Sequence, residues 1–103
     1  MNILLLVAHG SRRDESNLEV DSLSKKMLEF NSSQFDKVMP AFLEFASPSI
    51  PEAIEKCSDM GAQRVTILPY FLSAGVHINR YIPDEVNKAS QNFPDLEIGR
   101  AHV

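Results

Sequence analysis

Three residues of this chain stand out for the chemistry they could do together. His9 follows the apolar run "LLLVA", Glu44 sits in "AFLEF", and His77 lies in "FLSAGVHIN". Two imidazoles and a carboxylate make a ligand set for a divalent transition metal such as Co²⁺, Ni²⁺, Fe²⁺ or Zn²⁺. Metal–nitrogen and metal–oxygen bonds are about 2 Å long, so residues this remote in sequence serve one ion only if the fold brings them almost into contact. Each has a plainer alternative. A histidine in a loop is ordinarily a polar surface group. Glu44 either points with its apolar neighbours, where a carboxylate needs a partner or a ligand, or alternates out to solvent. Cys57 falls on the apolar stripe of a helix and reads as core, and His102 reads as tail.

The elements that would position these groups follow from the hydrophobic pattern. Asn2–Ala8 is a near-continuous run of Ile, Leu and Val, as expected of a strand covered on both faces. Over 14–30 the period changes, and Val20, Leu23, Met27 and Phe30 recur at helical spacing between charges. "NSSQ" (31–34) is a loop. A second strand spans 37–45, where Pro40 implies an edge position or a bulge. Ser49 and Glu52 form a capping box, Pro51 suits a first helical turn, and Ile50, Ile54 and Cys57 make the stripe of a helix that Gly61 ends. The third strand is "RVTILPY" (64–70). A loop over 71–79 leads to Pro83, which with Asp84 and Glu85 is expected to open a third helix, and "DLEIG" (95–99) is a fourth strand. The order β-α-β-α-β-α-β predicts an α/β three-layer sandwich around a mostly parallel four-stranded sheet. Ligands of such sheets bind outside the carboxyl ends of the strands. His9, Glu44 and His77 are therefore expected on one rim.

Composition sets the bounds. A chain of 103 residues with 44% hydrophobic content suits one packed domain. A net charge of −4 argues against a nucleic-acid partner. Its one cysteine excludes an internal disulfide and fits a reducing compartment. The chain shows neither a signal-peptide pattern nor a run near the ~20 apolar residues of a membrane span. The expectation is a soluble, cytoplasmic protein with no membrane partner.

The strings "VAHGSRRDESN", "FLEFASPSIPEAI" and "ILPYFLSAGVHINRYIP" together resemble the CbiX-type sirohydrochlorin chelatases of the class II chelatase family, in their short single-domain form. The likeness covers nearly the whole chain in order. It implies a flavodoxin-like chelatase fold and insertion of Co²⁺ into the tetrapyrrole sirohydrochlorin with release of two protons, a step of cobalamin biosynthesis. Relatives insert Fe²⁺ for sirohaem or Ni²⁺ for another coenzyme. His9 and His77 match the family's metal-binding and proton-accepting pair, and Glu44 falls where related chelatases place a metal-binding carboxylate. The metal is then a substrate, and no tightly bound cofactor is expected. Short members are expected to act as homodimers. The chain stops at "IGRAHV", where the family continues into a final helix, so either that helix is missing or a partner covers the face.

The implied roles make chemical sense. Two pyrrole N–H protons must leave as the metal enters, and neutral imidazole both ligates metals and accepts protons near pH 7. A neighbouring carboxylate would stabilise the resulting imidazolium. Sirohydrochlorin carries many carboxylates, which Arg12, Arg13 and Arg80 could clamp by paired hydrogen bonds. Ser11, Ser73 and Gly75 either offer donors to the ring's edge or shape the loops. Two rivals differ in class. Histidine phosphatases also place His-Gly after a first strand, but with an arginine before the histidine, where this chain has Ala8. A metal or tetrapyrrole carrier would use the same residues without turnover.

Overall fold

The first strand is apolar throughout because water reaches neither of its faces. Residues alternate sides along a strand, so in β1 (Asn2–Ala8) Ile3, Leu5 and Val7 point one way and Leu4, Leu6 and Ala8 the other, and all six are buried. The structure, a computed structural model, describes residues 1–70 and 76–100. Among these residues the chain continues with α1 (Asp14–Asn31), β2 (Lys37–Phe42), α2 (Ile50–Asp59), β3 (Arg64–Tyr70), α3 (Val76–Asn92) and β4 (Glu97–Arg100). The described strands form one all-parallel sheet in the order β2-β1-β3-β4, with Ala8 level with both Phe42 and Tyr70. The element order and the parallel sheet are those expected from the sequence.

Helices cover both faces. Ile3, Leu5 and Val7 pack with Ala41, Val65 and Ile67 against Ile50, Ala53, Ile54 and Cys57 of α2 and Ala89 of α3. On the opposite face Leu6, Ala8 and Phe42 meet Val20, Leu23 and Met27 of α1. Cys57 lies in the first core, where burial pushes its thiol up to about 11, so it stays an uncharged apolar group. Pro40 sits in β2, an edge strand, where the missing N–H leaves the paired side of the sheet intact.

Four expectations need correction. Phe30 is 85% exposed rather than part of the stripe of α1. At 3.6 residues per turn it lies roughly 80° around the axis from Val20, past the rim of the buried face. Ser24 is turned inward instead, its hydroxyl donating to the Val20 carbonyl at 3.0 Å. The second strand ends at Phe42 rather than at residue 45, because the chain folds back and the Phe42 N–H donates to the Pro48 carbonyl at 2.9 Å. The third helix begins at Val76, placing Pro83 inside it rather than at its start, so the Asn79 carbonyl lacks an intrahelical donor. β4 begins at Glu97, two residues later than expected, and runs to Arg100.

Local signals fix the ends of α2. The Ser49 hydroxyl accepts from the Glu52 N–H at 3.3 Å, and the Ser49 N–H donates to the Glu52 carboxylate at 2.9 Å. These bonds, the backbone one first, hold the Glu52 carboxyl below its ordinary value. At the other end Gly61 adopts φ +84, and the Gly61 and Ala62 N–H groups donate to the Ser58 and Cys57 carbonyls, both at 3.0 Å. This is the Schellman arrangement that glycine favours.

Pairing between the first two strands outlasts the sheet. The Leu43 N–H donates to the Ala8 carbonyl at 3.1 Å and the Glu44 N–H to the His9 carbonyl at 3.0 Å. The chain then turns at Gly10, whose φ is +95 and where any Cβ would collide with the Glu44 carbonyl oxygen.

Gly10→Ala is therefore expected to lower stability by about 1–3 kcal/mol through forced backbone movement. A urea midpoint equal to wild type would mean that the Glu44 carbonyl yields freely. Ser49→Ala should cost about 1 kcal/mol in the same measurement. Because the Glu52 carboxyl is lowered on folding, its contribution is present above the ordinary carboxylate pKa and disappears as pH falls through the folded value. The lead of wild type over Glu52→Gln should accordingly be seen at neutral pH and vanish in acid.

Candidate functional site

A parallel sheet of order 2-1-3-4 reverses its direction of build between β1 and β3. β1 is followed by α1 on one face of the sheet and β3 by α3 on the other. Open α/β sheets bind ligands outside the carboxyl ends of their strands, where the order reverses. His9 is the first residue beyond β1, and His77 lies in the first turn of α3. His77 is thus helical rather than in a loop, as expected from the sequence, because α3 starts ahead of Pro83. β1 and β3 end at one level, since Ala8 pairs with Tyr70.

His9 and Glu44 are brought together. The backbone bond between them sets their spacing, and the imidazole Nε2 lies 3.7 Å from a Glu44 carboxylate oxygen. The side chains are 54% and 52% exposed. That distance is too long for a hydrogen bond, and between side chains this exposed the contact contributes little to stability. An ion bound to both, with bonds of about 2.0–2.2 Å, would hold the nitrogen and oxygen about 2.9–3.4 Å apart. Closing a few tenths of an ångström turns this pair into two ligands. Among the described residues no three His, Cys, Asp or Glu side chains gather into a closed cage.

The residues around the pair divide by what they touch. The Ser11 hydroxyl accepts from the Arg13 N–H at 3.0 Å, which shapes the loop. The Arg13 guanidinium lies 3.5 Å from Glu15 in an exposed pair. Arg12 instead reaches across to the neighbouring loop, its guanidinium carbon 4.9 Å from the centre of the Phe45 ring. Arg80 is placed on α3. Ser73, Gly75 and His102 lie outside the described residues.

Two contributors were not legible from residue types. Asn17, in the first turn of α1, clamps the loop that carries His9: its side-chain oxygen accepts from the Ser11 N–H at 3.0 Å and its amide donates to the Ser11 carbonyl at 2.8 Å. A polar residue one turn into a helix that follows a Gly-Ser loop is the only cue, and many loops share it. Phe45 is the second. Beside it runs a groove of about 650 Å³ between α1, β2 and the loop after β2, lined by Phe45, Phe42, Pro40, Pro48 and Leu18 with Asp14 at one end. Among the described residues no helix is long and apolar enough to cross a membrane.

The chain is similar in sequence and in fold to known proteins. The chain is 39% identical over 93 residues to the chloroplastic sirohydrochlorin ferrochelatase of Arabidopsis thaliana, covering 90% of this chain and 40% of that protein. It is 40% identical over 83 residues to the sirohydrochlorin cobaltochelatase of Methanocaldococcus jannaschii, covering 81% and 57% respectively. The chain thus spans about half the length of these curated relatives. In fold it is similar to a CbiX protein of Marinobacter aquaeolei, with a TM-score of 0.81 at 22% identity over 99% of this chain and 81% of that one. It also matches the sirohydrochlorin chelatase SirB of Bacillus subtilis subspecies spizizenii in complex with cobalt, at a TM-score of 0.76 and 27% identity over 98% of this chain and 42% of SirB. The CbiX family model matches residues 3–103. With the parallel sheet, its histidine-bearing rim and this match in hand, the chain belongs to the CbiX family.

Proposed function

We propose that this chain is a sirohydrochlorin chelatase that inserts Co²⁺ into the ring and releases two protons. The observation behind the proposal is the His9–Glu44 pair, held open at the carboxyl edge of the sheet, with His77 in the first turn of the helix that follows β3. Its half-exposed, weakly coupled groups suit a metal that must arrive and depart. A closed four-ligand site would keep it.

The steps follow from the side chains. Co²⁺ is taken by the imidazole nitrogen of His9 with the Glu44 carboxylate, and His77 serves as the second imidazole. Each pyrrole N–H must lose its proton as a ring nitrogen takes the metal. A neutral imidazole accepts that proton, and the carboxylate beside His9 stabilises the imidazolium until water removes it. Arg12 meets carboxylates at the ring's periphery by paired hydrogen bonds. Arg13 is spoken for by Glu15 and contributes charge alone. A second copy of the chain facing this edge of the sheet would complete a cleft for a large ring. The reading is a single-domain homodimer at work in the cytoplasm.

Cobalt is favoured by the relatives named cobaltochelatases, of which that of Methanococcus maripaludis is also 40% identical over 83 residues. The ligand types accept Fe²⁺ and Ni²⁺ as well, and the Arabidopsis relative is named a ferrochelatase.

Metal insertion into sirohydrochlorin, followed by absorbance for Co²⁺, Fe²⁺ and Ni²⁺, tests this directly. His9→Ala and His77→Ala should each lower turnover by about 10²-fold or more while the fold persists by circular dichroism. Glu44→Gln should lower it about tenfold. Wild-type turnover in either histidine variant removes that residue from the mechanism. Product that stops at one ring per chain would make the protein a carrier, and faster insertion of Fe²⁺ would change the metal without changing the reaction.

A further inference from the structure

Phe45 adopts φ +64, a left-handed conformation that bulky residues rarely occupy. Strain of this kind persists where the surroundings impose it, and it gathers at functional sites. Core packing does not account for it here: the ring is 55% exposed and belongs to neither hydrophobic cluster. Its position is informative, because Phe45 directly follows Glu44 and Arg12 is three residues after His9. The stacking of Arg12 on Phe45 at 4.9 Å therefore ties together the two loops that present the His9–Glu44 pair. One face of the aromatic ring meets the guanidinium, and the exposed remainder borders the apolar groove beside α1.

An aromatic ring with a cation on one face and the other face free to stack matches a flat conjugated ring bearing carboxylates at its periphery. The π-face stacks on the macrocycle, and the guanidinium takes a carboxylate with its remaining N–H donors. We infer that Phe45 is a positioning residue for the macrocycle: it sets the ring plane against the His9–Glu44 pair, and stacking on it pre-orients Arg12 for a peripheral carboxylate. The left-handed backbone carries a side chain that lies outside both cores, against the Arg12 guanidinium. The inference rests on the chelatase reading and adds to it the element that recognises the ring rather than the metal.

Binding and turnover separate the two. Metal-free sirohydrochlorin is titrated by fluorescence into the full chain, Co²⁺ alone by calorimetry, and insertion rates are measured against ring concentration. Phe45→Leu removes the aromatic face. Phe45→Gly removes it too, at a position whose φ glycine adopts freely, so folding is preserved. Both should weaken ring binding and raise KM by about five- to tenfold, with kcat at saturating ring and the affinity for Co²⁺ within about twofold of wild type. Phe45→Tyr should restore ring binding. Ring affinity and KM unchanged in both the Leu and Gly variants, with wild type active, overturn the role of Phe45 and leave the chelatase reading standing. Wild type that neither binds nor metallates the ring removes both.

Discussion

Two backbone hydrogen bonds beyond the last formal rung of the sheet govern the arrangement of the site. By donating to Ala8 and His9, the N–H groups of Leu43 and Glu44 prolong the β1–β2 ladder past the point where both strands are assigned to end. The His9 imidazole and the Glu44 carboxylate, 35 positions apart, become neighbours through backbone pairing and not through any attraction between them, which is weak at 3.7 Å in solvent. The extension requires the next residue after His9 to have no side chain, since the Glu44 carbonyl occupies the space of a Cβ at Gly10. The "HG" of the sequence is thus one device: the histidine stands at the strand end, and the glycine admits the strand that brings the carboxylate beside it.

The sheet supplies the other half of the arrangement. With β1 central and buried on both faces, its neighbours β2 and β3 are pinned at the same level by Phe42 and Tyr70, both paired with Ala8. The helices that follow β1 and β3 lie on opposite faces, so the strand order reverses at this edge. Asn17 turns this geometry into a fixed loop by satisfying both backbone groups of Ser11. Rigid sheet, clamped loop and exposed ligands are separate layers, each supported by the one beneath.

The sequence made legible whatever depends on a local or periodic cause. The apolar run of β1, the capping box at Ser49 and Glu52, the edge position of Pro40 and the burial of Cys57 all follow from patterns within a few residues, and the structure has them. Where tertiary contacts decided, pattern reading fell short. Pro83 looks like a helix start, yet α3 already runs from Val76, since one lost hydrogen bond can be outweighed by packing of Val86, Ala89 and Phe93 on the sheet. Phe30 has the right spacing from Val20 but the wrong side of the stripe. The His9–Glu44 approach and the Arg12–Phe45 stacking join separate loops, and nothing in either loop alone specifies its partner.

On the proposed chelatase reading, the weakness of the central pair is a requirement of transfer. A ligand set that bound the ion as tightly as a structural site would have to surrender that whole interaction to the incoming ring nitrogens, and the barrier to release would rise with it. A half-exposed imidazole and carboxylate 3.7 Å apart would bind it less firmly, and water or ring nitrogen would displace them in turn. The rigidity needed for specificity then has to come from elsewhere. It lies in the backbone ladder beneath the pair and in the Phe45–Arg12 stacking beside it. The reactive groups stay loosely coupled to each other while their positions do not drift.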